Sequence, residues 1–369
     1  MNNQKITLEF SLLVLISVIF YISLFNNAWS QQSNPLIVSA RNVFDTESGA
    51  QEQNIDTIFN DVSTLLDLTE NDCPGELVIY VHGIWASQAD AFEQTERVFL
   101  SLQDMDYTYP VVGYSWDSDT AFALDDEDLS EQGWRVAKKI ANGNGPLLAK
   151  FILEYKEMCP TDNIRIIAHS LGARVTLSAL SDLHNHFFGD DDDGIIHINE
   201  PKTIESVHLL GAAVNLEQIS TNPSNCLIDE LSIECSGRAI ESQVQDFYNY
   251  YNTEDNMISS FKIPFTLLEF SSVYQISENN IALGSTAIEI TPNVPYNFHQ
   301  DDVTLEIRIL SDADSNGTCD IRYYYNGFRY CTIFLYGDNH QGYIGFRDSD
   351  DNFMNNGAID KVVNTWNFS

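Results

Sequence analysis

A chain of 369 residues that is 44% hydrophobic and 12% aromatic carries enough apolar mass for a large packed core, which excludes a disordered protein. Its 54 acidic residues against 18 basic ones give a formal net charge of -36 and a pI near 4.2. Nucleic acid and anionic lipid headgroups are held by clustered Lys and Arg, so this field argues against both as partners.

At the N-terminus, Lys5 precedes an apolar run from Ile6 to Phe25, and "NNAWSQQ" then places Ala28 and Ser30 three residues and one residue before a cut at Gln31. Residues 1–30 therefore read as a signal peptide, or as an N-terminal membrane anchor if uncleaved, because the run is long enough to span a bilayer. The folded part is expected to be secreted or on the outer cell surface, touching a membrane only through that segment. Residues 31–75 form a polar extension with a strand suggested around Leu36 to Val43 and no readable role.

From Glu76 onward, short β-branched runs alternate with longer amphipathic ones, the mark of an α/β domain, assigned to residues 76–369, with a mostly parallel sheet flanked by helices. Strands are expected at Leu77–Val81, Val111–Tyr114, Ile164–Ala168, Ser206–Leu210, Gln245–Tyr251 and Thr332–Tyr336. Helices are expected at Gln88–Leu102, Glu131–Glu157 with a break at Asn142–Pro146, Ala173–His184 and Asn356–Trp366. Between about Ile263 and Tyr330 the helical period disappears, and the segment reads as a β-rich insertion or cap.

Six cysteines in an exported chain read as disulfides. Two short-range pairs are Cys226 with Cys235 and Cys319 with Cys331. The remaining Cys73 and Cys159 each stand just before an expected strand, so parallel neighbouring strands would bring them together. No Cys-x-x-Cys or spaced Cys/His cluster points to zinc.

The chemistry concentrates in "IRIIAHSLGARV". An apolar strand runs into Ala168-His169-Ser170-Leu171-Gly172, and a helical pattern runs out. A strand-to-helix turn that exposes a serine needs small residues on both sides of it, which Ala168 and Gly172 supply. The same five-residue pattern recurs at Ala313–Gly317 without a helix after it, so context and not pattern singles out Ser170. An oxyanion hole needs two backbone N–H groups. Leu171 offers one, and "VIYVHGIWAS" offers the other at Ile84, or less favourably Trp85.

"VIYVHGIW", "VVGYSWDSD" and "IRIIAHSLGARV", in this order and each at a strand end, resemble the α/β-hydrolase family in its lipase- and esterase-like branch. Ala168 stands where that family more often has glycine. The resemblance implies an eight-stranded, mostly parallel sheet and catalytic residues in the order Ser, acid, His. Of eight histidines, His82 and His169 belong to the strand-end motifs, and His184, His186, His197 and His208 fall on helix, loop or strand. His340, after the last expected strand, takes the family's general-base position ahead of His299. Asn215 leaves one family acid position vacant, and the acid is expected at Asp255, with neighbouring Glu254 as the alternative.

The expected function is thus an exported serine hydrolase that cleaves a carboxylic ester through Ser170, His340 and Asp255, acting on a small-molecule or lipid ester and requiring no cofactor. The rival is a hydrolase-fold surface protein that binds without catalysing. "DADSNGTCD" is a partial calcium loop with Asp312, Asp314 and Asn316 as weak ligand candidates. Tyr323 stands where a complete loop would carry a bidentate Glu. Asn316-Gly317-Thr318 is also a glycosylation acceptor.

Overall fold

The computed structural model describes residues 34–55, 62, 66, 73–121, 127–188, 202–226, 235–253, 255, 258, 282–307, 322–325, 328–331, 338–347 and 353–366. The N-terminal apolar run, the calcium candidates Asp312, Asp314 and Asn316, Glu254, and the expected strand Thr332–Tyr336 lie outside them. Among the described residues no helix is long and apolar enough to cross a membrane.

The chain runs β1 (Leu36–Ser39), β2 (Glu76–Val81), α1 (Gln88–Asp104), β3 (Val111–Ser115), α2 (Glu127–Met158), β4 (Asn163–His169), α3 (Gly172–Phe188), β5 (Ile204–Leu210), α4 (Gly237–Gln243), β6 (Val244–Tyr251) and β7 (Phe298–Asp302). A hairpin of β8 (Arg322–Tyr325) and β9 (Phe328–Cys331) follows. The short helix α5 (Asp338–Gln341), the pair β10 (Phe346–Arg347) and β11 (Phe353–Asn355), and α6 (Ile359–Asn364) close the chain. The first seven strands form one sheet in the order β1-β3-β2-β4-β5-β6-β7, every pair parallel. The resemblance implies eight strands; the described residues supply seven. Within 263–330, β7 joins this sheet beside β6, and residues 259–281 and 308–321 lie outside the described residues.

A parallel sheet covered on both faces selects largely apolar strands, and every residue of "ELVIYV" in β2 is buried, with Glu76 paired to Arg165 Nε of β4 at 3.0 Å. Leu77, Ile79 and Val81 point into a core beneath α2, α3 and α4, while Val78 and Tyr80 point into a second core built with α1 and α6. Chain order reverses around β2: the chain passes to β3 on one side, then back across to β4 on the other. Such a switch point opens a crevice at the carboxyl ends of the strands. The disulfide Cys73–Cys159 ties the opposite, entry ends of β2 and β4, which pair from Glu76↔Asn163 to Val81↔Ala168. Cys226–Cys235 also forms, and Cys319 lies outside the described residues.

The expected break at Asn142–Pro146 is corrected: α2 runs unbroken from Glu127 to Met158 with Pro146 inside it. Proline at 146 has no N–H to give the Asn142 carbonyl. That carbonyl instead accepts from the Ser178 hydroxyl on α3 at 2.9 Å. The two glycines of "NGNGP" let neighbours approach. A Cβ on Gly145 would overlap Ser178, and one on Gly143 would overlap the Phe44 ring. The glycines thus serve helix packing and not a turn.

Candidate active site

Ser170 sits between β4 and α3 with φ +54°, a left-handed value unusual for a residue with a Cβ. The turn is held by Ser170 N–H donating to the Leu210 carbonyl at 3.0 Å and Ala213 N–H donating to the Ser170 carbonyl at 3.1 Å. Close approach explains its small neighbours. A Cβ on Gly172 would overlap the Val81 carbonyl oxygen, and one on Gly83 would come within 2.8 Å of the Ser170 Cβ. The strand–turn–helix unit is therefore packed against the end of β2, and the Ser170 hydroxyl faces the crevice.

A relay of two hydrogen bonds begins at that hydroxyl. His340, on α5, places Nε2 2.7 Å from Ser170 Oγ, and its Nδ1 lies 2.7 Å from Oδ2 of Asp255. Asp255 follows β6, is fully buried, and is turned inward by its own N–H donating to the Asn252 carbonyl at 3.1 Å. The structure thus brings together Ser170, His340 and Asp255, which stand 170 and 85 residues apart in sequence. His299 lies elsewhere, on β7, half-exposed and 3.3 Å from Asp246.

The two expected oxyanion donors flank the serine. Among the described residues, neither the Ile84 nor the Leu171 N–H donates to a backbone carbonyl. The alternative Trp85 is committed, since its N–H donates to the Ser118 carbonyl at 2.8 Å. Trp85, Trp134, Ala213 and Ile258 line the cleft beside Ser170 and His340, making its wall largely apolar.

Three supporting residues escape sequence reasoning in their roles. Tyr343, three residues after His340, donates its hydroxyl to the Gly284 carbonyl at 3.2 Å beside the Asp255 carboxylate, and burial, followed by that charge, pushes the phenol pKa well up. The His169 ring donates from Nε2 to the His340 carbonyl at 2.7 Å, which assigns the proton to Nε2. Burial lowers the pKa of His169 to about 3, aided by the neighbouring His340. His82 is likewise held near 3 by burial. Its Nδ1 donates to the Gly83 carbonyl at 2.8 Å and its Nε2 accepts from Trp116 N–H at 3.1 Å. His82 and His169 were visible as motif residues, but their bonds cross from one strand end to another and leave no local spacing to read.

Among the described residues, Cys73, Cys159 and Asp162 form the group of metal-ligating types within reach of one another. Its sulfurs are joined in the disulfide, and Asp162 accepts from Gly75 N–H and the Tyr155 hydroxyl, so the group acts as a clamp on the strand entries.

No curated protein matches the chain in sequence. Solved structures similar to it include a Trichoderma reesei cutinase in complex with a phosphonate inhibitor, at 16% identity and TM-score 0.26, covering 49% of this chain and 66% of that one, just under two thirds. Others are the catalytic core of a Trichoderma reesei acetyl xylan esterase, at 12% identity and TM-score 0.25 over 47% of this chain and 82% of that one, and Aspergillus fumigatus lipase B, at 10% and 0.34 over 77% and 57%. The model of the family described as "Alpha/beta hydrolase of unknown function (DUF900)" matches residues 61–255, over half of the chain, and this protein belongs to that family as a hydrolase of the α/β class.

Proposed function

We propose that the chain is an exported serine hydrolase that cleaves carboxylic esters with an apolar acyl part. The observation that carries this reading is the unbroken relay of two 2.7 Å bonds from Ser170 through His340 to Asp255. A serine hydroxyl is a poor nucleophile until a base takes its proton as it attacks. His340 Nε2 is within reach of that proton, and Asp255 fixes the tautomer by accepting from Nδ1.

Ser170 Oγ bonds to the acyl carbon while its proton passes to His340. The carbonyl oxygen gains the negative charge, and the N–H groups of Ile84 and Leu171 receive it. Collapse breaks the bond to the alcohol, which leaves with the proton from His340. Water then repeats the sequence on the acyl-enzyme, with His340 as base, and returns Ser170 free. The apolar cleft wall around Trp85, Trp134 and Ile258 suits an acyl chain and excludes water from the developing charge. The two disulfides and the signal-like N-terminus support an oxidising, extracellular setting.

The test is reaction with a fluorophosphonate probe alongside hydrolysis of p-nitrophenyl esters. Wild-type protein is expected to label and turn over, and Ser170→Ala to lose the label and at least about 10³-fold in kcat. Full esterase activity in Ser170→Ala would overturn the assignment.

A further inference from the structure

The loop that carries Ile84 is bonded to distant parts of the chain. Between β2 and α1, residues 83–87 contain Trp85 at φ +56°, a left-handed conformation for a bulky residue. Such a conformation persists only where the surroundings over-determine it. Here they do so from two distant segments. Trp85 N–H donates to the Ser118 carbonyl at 2.8 Å, and Ala86 N–H donates to Ser118 Oγ at 3.2 Å. The Ala86 carbonyl accepts from Ser118 Oγ at 3.0 Å and from Arg41 Nη2 at 2.6 Å.

Arg41 belongs to the extension before the family-matched region, just past β1. Its guanidinium is spread over three partners: Nη2 on Ala86, Nε on Ser115 Oγ at 2.7 Å, and Nη1 on Asp119 Oδ1 at 3.1 Å. The arginine side chain is 8% exposed while Asp119 is half-exposed, so the Asp119 contact is the weaker grip and the two inward bonds aim the group. Its backbone is anchored in turn. The Asp117 carboxylate accepts the N–H groups of Asn42, Val43 and Phe44 at 2.7, 3.0 and 2.9 Å. The planar fork of arginine can hold three fixed acceptors at once, which a lysine ammonium on a flexible stem cannot reproduce.

We propose that Arg41 is a positioning residue for the oxyanion hole, holding the Ala86 carbonyl so that the peptide of Ile84 keeps its N–H turned toward the carbonyl oxygen of the substrate. This rests on the proposed serine hydrolase reading. Arg41 touches no reacting atom, and its effect passes through Ala86, Trp85 and Ile84. A shift of the Ile84 N–H by about 1 Å is enough to cost on the order of 10²-fold in rate, because the charge it meets exists only in the transition state.

The experiment compares Arg41→Ala, Arg41→Lys and Ser118→Ala with wild type by three measurements. On p-nitrophenyl butyrate, Arg41→Ala is expected to lower kcat about 10- to 100-fold with KM changed less than about threefold, and Arg41→Lys to recover part of the loss. Affinity for a trifluoromethyl ketone, whose adduct carries the oxyanion, is expected to fall by the same factor as kcat. Hydrogen exchange of the peptide spanning residues 83–87 is expected to quicken in Arg41→Ala while strands β4 and β5 keep their protection. Ser118→Ala, which removes the second grip on Ala86 and leaves the extension in place, is expected to show the same pattern if Arg41→Ala fails to fold. Unchanged exchange at 83–87 overturns the proposal whether or not the wild type hydrolyses esters. A kcat loss with unaltered ketone affinity overturns it too, and wild-type protein without esterase activity but with quickened loop exchange in the variant would sink the hydrolase reading and the oxyanion role with it, leaving Arg41 only as a support of the loop.

Discussion

At the scale of the residue, the consequence of Asp255 is a proton location. With Asp255 accepting from Nδ1, the lone pair of His340 Nε2 is left facing Ser170 Oγ at 2.7 Å. Asp255→Asn conserves shape but can present an N–H to Nδ1, and the imidazole then carries its proton on Nε2 and cannot accept one from the serine. The expected loss is about 10⁴-fold in kcat with little change in KM, read from steady-state hydrolysis of a p-nitrophenyl ester. A loss under tenfold would mean that another acid orients His340. Ser170 was legible because the apolar run of β4 leads into it and a helical pattern leads out, whereas Asp255 and His340 were reached through the positions the family resemblance implies, the strand expected before His340 lying outside the described residues. Tyr343 and Arg41 were not legible, since a phenol three residues past a histidine and an arginine in a polar extension have no periodicity tying them to Asp255 or Ala86. Their partners exist only once β6, α5 and the loop after β3 have been brought together.

At the scale of the element, α2 is where local reading and packing part company. "NGNGP" reads as a turn because each glycine costs about 1 kcal/mol and the proline about 3 kcal/mol relative to alanine in a helix interior. Downstream Leu147, Leu148, Phe151 and Ile152 are all fully buried, and their burial outweighs that cost. The strands β2 and β4, apolar in their interiors apart from Arg165, which pairs with Glu76, carried no such conflict. Two substitutions separate the contributions at the crossing with α3. Ser178→Ala leaves the Asn142 carbonyl unsatisfied in the helix interior, an expected cost of about 1–3 kcal/mol in urea unfolding. Gly145→Ala improves local propensity yet drives a methyl into Ser178 and its backbone, and is expected to destabilise as well, by about 1–3 kcal/mol. Since α3 begins immediately after Leu171, a shift at this crossing is also a shift at the serine. Stabilisation by Gly145→Ala would show that propensity governs α2 after all.

At the scale of the whole molecule, a net charge of -36 and a set of buried neutral histidines respond oppositely to acid. Burial holds His82 and His169 near a pKa of about 3 and pushes His208 down as well. An unfolded histidine takes up its proton near pH 6.5, so between pH 6.5 and about 3 the unfolded chain binds protons that the folded chain refuses, and stability falls as pH falls. Each such histidine contributes a slope of about 1.4 kcal/mol per pH unit in that window. His82 and His169 together predict a loss of about 3 kcal/mol between pH 7.5 and 5.5, with His208 adding to it. Protonating surface carboxylates works the other way, by relieving self-repulsion, mostly below this range and strongly screened when the Debye length is only about 3 Å in 1 M salt. Urea unfolding in 1 M NaCl at the two pH values therefore isolates the histidines. Acidification is expected to lower the midpoint, and to lower it less in a His208→Gln variant, whose amide does not titrate but can still reach Ser206 or Trp366. Equal stability at pH 7.5 and 5.5 would mean that these histidines accept protons without leaving the fold.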